Sequence, residues 1–571
     1  MRYDFDLNQA STPLDVRSAF YRYPLTSASI RGMSETTQQG KDAPGSSGCQ
    51  ATNLEARVPP PLNAHDYDPP IHRLPPEILV EIVRHYIQRD TTLRDLVRLT
   101  HVCQRWSIIV QDAPVLWTTI NAADGPSAFH KAMQTAKDAL LDLTFDDTTA
   151  KVSLEIFLKS VGERIGQWRT LVVKQRGPAE WDLIIEALQK GTPPNLEALD
   201  LSGGGNMVSL FGGNPAPPRL KEISLSSISI NLASLQLGGL RSLAIFYTTG
   251  ISATDILNVI RGSPIIESIG LYYLESLTGV LPSHEAFSHL GAFDNPSIQL
   301  ASLQLASFIH LTLDNIAMPF FKSLLSAIAA PRLDTLEISC ELENVSDAQL
   351  FLEGLRCQLP TLARLTTDAQ DIKFRLLAYA YQIVIGRLDV RLRMHELPVN
   401  SLEETWDWVY NHLGRPLKDL PAHLDVNEWE PAVPSLLEWL THRLAVTKLS
   451  LYHDPYYGRR VLDPIIPLFS RPTTSTPATW LFPQVEILET NLVQSNGNDG
   501  LVEMIKNRHS AEDGRYGIAA PKPFREIWLA FGDPLSPDSP DPMNVEFLKE
   551  VQTVANGADV YWEEKKMAWS R

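Results

Sequence analysis

Hydrophobic residues recur at helical spacing between residues 71 and 120. Pro75 and Pro76 suit the first turn of a helix, because the N–H groups that proline lacks would have no partner there. Six apolar residues then form two neighbouring rows along this helix: Ile78, Ile82, Tyr86, Leu79, Val83 and Ile87. The broad apolar stripe predicts a helix that must be covered on more than one side.

Two further short helices are predicted in the same stretch. Thr92, with Asp95 three residues later, resembles a capping box at the start of the second helix. The apolar face of this helix consists of Leu93, Leu96, Val97 and Leu99. The third helix, over residues 101–112, stops before Pro114. Its apolar positions are Val102, Trp106, Ile109 and Val110. Three helices of this size bury little surface, so they are expected to lean on a neighbouring domain or on a partner.

A second pattern begins after residue 140 with the phrase Leu-x-x-Leu-x-Leu, in which Ile, Val or Phe replaces some leucines. Clear copies start at Leu196, Leu220, Leu240, Ile266, Phe308, Leu333, Val446 and Phe524. The first four starts lie 24, 20 and 26 residues apart, within the roughly 20–29-residue period of leucine-rich repeats. Each phrase predicts a short strand whose second and third apolar residues face inward.

Helical segments fit between several of these strands, at residues 181–190, 254–261 and 319–329. The chain is therefore predicted to be α/β, with three N-terminal helices followed by a leucine-rich-repeat-like solenoid of short parallel strands and helices. An irregular α/β domain is the alternative, because such phrases also arise by chance in Leu-rich chains. The array is expected to be irregular after about residue 395. Residues 385–390 are a candidate further unit, and residues 402–424 are expected to be an insertion.

Residues 1–70 are rich in Ser, Thr, Gln, Gly and Pro and lack a sustained period, which predicts a disordered tail. The first residues are polar and acidic, unlike the basic and apolar start of a signal peptide. The sequence also lacks a run of about 18 apolar residues, so membrane insertion is not expected. These features predict a cytoplasmic or nuclear protein with three regions, at residues 1–70, 71–120 and 121–571.

Composition argues against several functional classes. With 67 acidic and 50 basic residues the formal net charge is −17, which disfavours binding to nucleic acid. The four cysteines are widely spaced, which argues against a disulfide framework and a zinc site, and no cofactor is predicted. Nucleotide-binding and hydrolase fingerprints are missing. Gly203–Gly205 is expected to be a loop, and His453 with Asp454 a solvated pair.

The residue order of the helical stretch resembles the F-box motif, and it is similar to the F-box proteins of mushroom-forming fungi. The residues that carry the resemblance are Leu74-Pro75-Pro76-Glu77-Ile78-Leu79, Ile82, Leu96, Leu99, Val102-Cys103-x-x-Trp106 and Leu116-Trp117. From periodicity alone, an ordinary helical cap on the following domain is the alternative.

The resemblance implies a substrate-receptor subunit of a cullin-type ubiquitin ligase. Such a subunit binds a Skp-type adaptor, and through it cullin, and holds a client protein near a separate enzyme, so that it needs no catalytic residue. The resemblance assigns ten residues to the F-box core and its adaptor surface: Leu74, Pro75, Glu77, Ile78, Ile82, Leu96, Leu99, Val102, Cys103 and Trp106.

The client protein is expected to bind outward-facing side chains of the repeat strands. Candidate residues are Phe246, Tyr272, Arg387, Arg391, Tyr452 and Trp528. Arg387, Asp389, Arg391 and Arg393 line one candidate strand, and such a row can receive an acidic or phosphorylated segment. A solvated strand face is the alternative. Two other functions stay open: a repeat scaffold without a ligase role, and a hydrolase, which requires Ser, His and an acid on one surface.

Overall fold

The structure is a computed structural model. It describes the chain from residue 70 to residue 566, except for residues 88–92, 178–179, 231, 233–236, 249–250, 252, 275–302, 378–379, 395–403, 406, 409–410, 413–419, 427–432, 453–465, 475–477, 494–497, 512–517, 532–541 and 563–564. The predicted tail over residues 1–69 lies outside the described residues. Leu74–Arg571 forms one compact unit, and Met1–Arg73 forms another, in which Pro70–Arg73 is a 3-10 helix.

Three short helices open the larger unit, as the sequence predicts. They are α1 (Pro76–Ile87), α2 (Leu93–Leu99) and α3 (Gln104–Gln111), followed by 3-10 helices at Pro114–Trp117 and Ala122–Asp124. The predicted capping residue Thr92 lies outside the described residues. The first N–H of α2, on Leu93, donates a 3.2 Å hydrogen bond to Oδ1 of Asp124. A distant carboxylate therefore serves one of the unpaired donors at the start of this helix.

Among the described residues, eighteen strands form one sheet, and two form a separate small sheet. Their bounds are β1 (Thr119–Asn121), β2 (Leu141–Asp146), β3 (Trp168–Lys174), β4 (Ala198–Val208), β5 (Glu222–Ile230), β6 (Ser242–Phe246), β7 (Ser268–Leu274), β8 (Leu303–Gln304), β9 (His310–Ile316), β10 (Ile328–Ala329), β11 (Thr335–Leu342), β12 (Ile372–Leu377), β13 (Ala380–Ile385), β14 (Leu388–Met394), β15 (Pro421–Val426), β16 (Ala445–Leu451), β17 (Ile487–Val493), β18 (Glu526–Phe531), β19 (Asp559–Trp562) and β20 (Lys565–Lys566). All eight strands predicted from the repeated phrase are present, as β4, β5, β6, β7, β9, β11, β16 and β18.

The paired strands of the large sheet run in the order β1, β2, β3, β4, β5, β6, β7, β9, β11, β14, β13, β12, β15, β16, β17, β18, β19, β20. Neighbours are parallel except where β13 joins β14 and β12 and where β20 joins β19. The sheet is therefore rich in parallel pairings, as the fold prediction requires, while β8 and β10 pair separately.

Helices connect many of the strands. They are α4 (Pro126–Thr135), α5 (Leu154–Gly162), α6 (Trp181–Lys190), α7 (Ala253–Gly262), α8 (Met318–Ala327), α9 (Val345–Arg356), α10 (Leu359–Thr367), α11 (Val433–Arg443), α12 (Ile466–Phe469), α13 (Asn498–His509) and α14 (Pro542–Val554). The predicted segments 181–190, 254–261 and 319–329 correspond to α6, α7 and α8. Among the described residues, no helix is long and apolar enough to cross a lipid bilayer.

The two faces of the sheet differ in polarity. Successive strands place apolar residues in register, such as Leu243, Ile269 and Leu311, and these pack with the helices in one continuous core. The alternating residues, such as Tyr272 and Asp314, point to the other face. We call this second face the open face. Because parallel sheets are usually covered on both sides, polar and aromatic side chains must stabilise it.

A backbone feature repeats along four neighbouring strands. Ser227, Tyr247, Tyr273 and Asn315 all have positive φ, between 49° and 57°. Each directly follows one residue of the register-matched set Ser226, Phe246, Tyr272 and Asp314. The same left-handed conformation therefore occurs within β5, β7 and β9 and directly after β6, although none of the four residues is glycine. This recurrence supports a repeated structural unit in this part of the sheet.

The candidate phrase at residues 385–390 supplies a further strand, since Leu388 and Val390 lie in β14, parallel to β11 and in register with Leu336 and Ile338. Gly386 (φ 58°) and Arg387 form the two-residue turn of the β13–β14 hairpin before it. Two other sequence predictions are wrong at the level of individual segments. The predicted insertion at residues 402–424 includes the start of β15. Gly203 lies in β4 rather than in a loop: a Cβ atom there would lie 1.6 Å from the carbonyl oxygen of Gln175, so glycine is required by close packing.

Candidate functional site

Helix α1 buries one of its two predicted apolar rows and exposes the other. Leu79 and Val83 are almost fully buried in the core, whereas Ile78 and Ile82 remain 48% and 43% exposed. Tyr86, one turn further on, is also exposed. The sequence predicts that this helix is covered on more than one side. Of its two apolar rows, the described residues bury Leu79 and Val83 and leave Ile78, Ile82 and Tyr86 exposed. Exposed apolar residues at successive turns of one helix are typical of a docking surface.

Helix α3 also exposes an apolar residue, Ile108, which lines a pocket together with Pro76 of α1. Arg105 Nη2 donates a 2.6 Å hydrogen bond to the carbonyl oxygen of Leu74, which ties α3 to the start of α1. Between the two helices lies a shallow pocket of about 320 Å³. Its lining residues are Pro76, Gln104, Arg105, Ile108 and Ile109. We call Ile78, Ile82, Ile108 and this pocket the apolar surface.

The ten residues predicted for the F-box core and adaptor surface separate into three groups. Leu96 and Trp106 are buried in the helical core, so they support the surface without being part of it. Those at half-buried positions against the core are Leu74, Leu99 and Cys103. Those exposed to solvent are Pro75, Glu77, Ile78, Ile82 and Val102. Cys103 packs as a small hydrophobic residue before α3, as the sequence predicts.

The helices that carry the apolar surface are attached firmly to the sheet. Trp117 is fully buried, and its indole Nε1 donates a 2.7 Å hydrogen bond to the carbonyl oxygen of Val110 in α3. Burial raises the pKa of Asp124, which caps α2 from the segment after β1. Residues of α1, α2, α3 and the first strands belong to one continuous core. The apolar surface therefore has a fixed position on the larger unit.

Comparison with known protein families identifies this region. Residues 71–123 match the family described as F-box-like. The chain contains an F-box-like domain. The match covers α1, α2, α3 and β1, and it extends to Ala123 beside the capping residue Asp124. No curated protein matches the chain in sequence. The similarity to fungal F-box proteins and the leucine-rich-repeat-like array therefore remain predictions.

The open face carries three stacked aromatic pairs on neighbouring strands. Their members and ring-centroid distances are Phe246 and Tyr272 at 4.2 Å, Tyr247 and Tyr273 at 4.5 Å, and Trp528 and Tyr561 at 4.0 Å. Two of the pairs are directly in register across parallel strands. Three predicted client-binding residues, Phe246, Tyr272 and Trp528, thus lie on one face of the sheet. Stacking also has a structural role, because cross-strand aromatic pairs stabilise a sheet.

A polar network joins the middle strands of the open face. The amide of Gln382 donates to both oxygens of Asp389, at 2.7 and 2.9 Å, and its own oxygen accepts a 3.1 Å hydrogen bond from Arg375. Arg375 and Lys373 each lie 3.1 Å from Asp425. The repeated phrase does not predict this network. Polar and apolar residues alternate at 372–376 and 421–426, and this strand pattern could have predicted which polar side chains share a face.

The predicted client-binding residues Arg387, Arg391 and Tyr452 have different surroundings. Arg387 is exposed in the turn before β14 and forms an ion pair with Asp334. Arg391 is half-buried within β14 and points to the open face. Tyr452 follows β16, and burial, as the largest cause, raises its pKa to about 12. Only Arg391 therefore presents a charge that no acid of the described chain neutralises in an ion pair.

A serine, a histidine and an acid do meet on the open face, which is the condition set for a hydrolase. His423 Nε2 lies 2.7 Å from Ser450 Oγ and 2.6 Å from Asp425. However, Ser450 is fully buried and donates its only proton to Glu489 at 3.0 Å. Ser450 and Asp425 contact the same ring nitrogen of His423, whereas in a Ser-His-acid triad the serine and the acid contact opposite ring nitrogens. The three residues therefore do not have the geometry of that triad.

Metal binding has no support in the described residues. None of their His, Cys, Asp and Glu side chains form a group of three or more that could hold an ion. Cys340 is fully buried, and burial raises the pKa of its thiol far above the ordinary value. A buried neutral thiol is a poor ligand and a poor nucleophile.

Proposed function

We propose that this chain is a substrate-receptor subunit of a cullin-type ubiquitin ligase, acting in the cytoplasm or nucleus. The F-box-like domain binds a Skp-type adaptor, and through it cullin, while the open face of the sheet binds a client protein. The observation that carries the proposal is the exposed row of Ile78 and Ile82 inside a domain of a family that generally binds such adaptors. An apolar row kept out of the protein's own core needs a partner to cover it.

The mechanism is positional. The adaptor and the client bind to one compact unit, because α1, α2, α3 and the sheet share a continuous core. Holding a client beside a ubiquitin-transferring enzyme raises the effective concentration of the client's lysines. In this mechanism the chain itself needs no nucleophile.

The test is co-purification of the full chain with a Skp-type adaptor. Ile78→Asp together with Ile82→Asp places two charges in the proposed interface, and loss of buried apolar anchors should lower adaptor affinity at least thirtyfold, roughly 2 kcal/mol. The control is Ile156→Asp, which changes a residue that is 51% exposed on α5. Both variants should keep the melting temperature, since exposed positions tolerate substitution.

Each outcome is decisive. A wild-type chain that does not bind the adaptor contradicts the receptor function and favours a scaffold without a ligase role. A double variant that binds as tightly as wild type shows that the adaptor does not use the α1 row. Loss of binding in the Ile156→Asp control as well would show a nonspecific effect of surface charge.

A further inference from the structure

The open face neutralises most of the charges in its middle strands internally. Asp425 is almost fully buried and contacts Lys373 and Arg375 at 3.1 Å each. One strand further, Lys448 lies 2.7 Å from Glu489. Charges that are already paired contribute little to attracting a partner, because a partner would have to displace the existing contacts. This part of the face is therefore a poor site for charged ligands.

Arg391 and Arg393 on β14 are different. Both are half-buried and point to the open face from alternate positions, and neither side chain forms an ion pair or hydrogen bond with a described residue. The Nε atom of Arg391 is buried without an acceptor. The nearest acid on the same strand, Asp389, is already bound by the amide of Gln382 through both of its oxygens. We call Arg391 and Arg393 the arginine pair.

Nearby acids offset the positive charges of the arginine pair only in part. Burial, and then the like charge of Arg393, lower the pKa of Arg391, although Asp314 and Asp389 act in the opposite direction. The two guanidinium groups therefore repel each other and have no direct ion-pair partner among the described residues. An incoming anion would relieve this repulsion.

Acidic and aromatic residues around the arginine pair limit which ligands can bind there. Glu337 is paired in register with Asp389, and burial raises the pKa of both carboxyl groups. Asp314 lies on β9, two strands from β14. These acids would repel a uniformly acidic ligand. On the same face the stacked rings of Tyr247 and Tyr273 supply an apolar edge.

We propose that the arginine pair binds an extended acidic segment of the client, with Asp or Glu side chains at two alternate positions. In an extended chain alternate side chains are roughly 6.6–7 Å apart, the same repeat that separates Arg391 from Arg393 along β14. Each guanidinium can then take one carboxylate through two parallel hydrogen bonds. The residue between the two acids must not be acidic, because Glu337, Asp389 and Asp314 would repel a third carboxylate. This inference rests on the proposed binding of a client to the open face.

Fluorescence anisotropy with the full chain tests the inference. The probe is a labelled ten-residue Ser/Thr peptide with Glu at two alternate central positions, and its matched control has Gln at both. Wild type should bind the Glu peptide at least tenfold more tightly than the Gln peptide. Arg391→Gln with Arg393→Gln should remove that difference. Arg387→Gln removes an equal charge that is already paired with Asp334, and it should change affinity less than twofold.

Several results would overturn the assignment. Equal binding of the Glu and Gln peptides, or an unchanged affinity in the Arg391→Gln, Arg393→Gln variant, would show that the arginine pair is not the site. A phosphoserine peptide that binds tenfold more tightly than the Glu peptide would show that phosphate, and not paired carboxylates, is the ligand.

Adaptor co-purification keeps this test separate from that of the proposed function. The arginine variant should bind the adaptor like wild type, and the Ile78→Asp, Ile82→Asp variant should bind the peptide like wild type. Peptide binding without any adaptor binding by the wild-type chain would retain the peptide site and reject the ligase role.

Discussion

The indole nitrogen of Trp117 donates a buried 2.7 Å hydrogen bond to the carbonyl oxygen of Val110, seven residues earlier. Trp168 makes the same contact with Val161, also seven residues earlier, at 2.9 Å. In each case a helix, α3 or α5, leads through a 3-10 turn and a tryptophan into a strand. The third helix of the F-box-like domain therefore joins the sheet by the same connection that a later helix uses.

The first prediction concerns Trp117→Phe. The substitution keeps an aromatic ring but leaves the Val110 carbonyl without its donor, so the free energy of unfolding should fall by about 1–3 kcal/mol. Because that carbonyl lies in α3, adaptor affinity should fall as well. Trp168→Phe removes the equivalent bond beyond the F-box-like domain and should lower stability without changing adaptor affinity. Denaturation and adaptor titration measure the two effects, and an equal loss of adaptor affinity in both variants would contradict the prediction.

The second prediction concerns acid stability and Asp425. Burial acts to raise the pKa of this carboxyl group, but contacts with His423 and Lys373 outweigh it and lower the pKa to about 2, below the ordinary value of 3.8. The unfolded chain therefore binds the proton more readily, so the stabilisation is complete above about pH 4 and is lost as the pH falls toward 2.

Asp425→Asn should lower stability near neutral pH by roughly 2 kcal/mol and flatten its dependence on pH between about 4 and 2. Glu186→Gln is the control, since Glu186 forms an exposed ion pair with Lys190 at 2.8 Å and should contribute less than about 0.5 kcal/mol. Urea denaturation at several pH values measures both. An Asp425→Asn protein with the acid sensitivity of wild type would refute the assignment.

The third prediction concerns Gly270. A Cβ atom at this position would lie 2.7 Å from Cε2 of Tyr272, whose ring stacks on Phe246. Gly270→Ala should displace the ring and lower stability by about 1–2 kcal/mol. In a Tyr272→Ala background the obstacle is absent, and the same substitution should be neutral or stabilising by up to about 1 kcal/mol. A double-mutant cycle measures the coupling, and identical effects in both backgrounds would exclude the contact.

Much of the fold follows from local patterns. Apolar residues at alternate positions, such as Leu243 and Ile245, predict strands because residues two apart in a strand point to the same, buried face. The segment 181–190 predicts α6 to the residue, since its apolar period is unbroken. The β12–β13 hairpin was missed, because alternation such as Ile372, Phe374 and Leu376 does not fit the six-residue phrase.

The site was harder to predict than the fold. Periodicity shows that Ile78 and Leu79 are both apolar, but it does not show which one the chain itself buries. That choice depends on how α1 packs against the rest of the unit. Likewise the contact of Gln382 with Asp389 depends on strand pairing between residues that belong to a hairpin. Strand alternation predicts that Arg391 faces outward. Only the packed structure shows that its Nε atom is buried without an acceptor.

The first ten strands of the sheet order, from β1 to β14, pair in parallel without interruption. From β1, beside the F-box-like domain, to β14, which carries the arginine pair, there are nine successive pairings. Each step offsets the next strand by roughly 4.8 Å. In the proposed ligase the number of strands therefore sets the distance between the adaptor and the client. Insertion or deletion of one strand unit would shift the client by a fixed increment and change which of its lysines the transferring enzyme can reach.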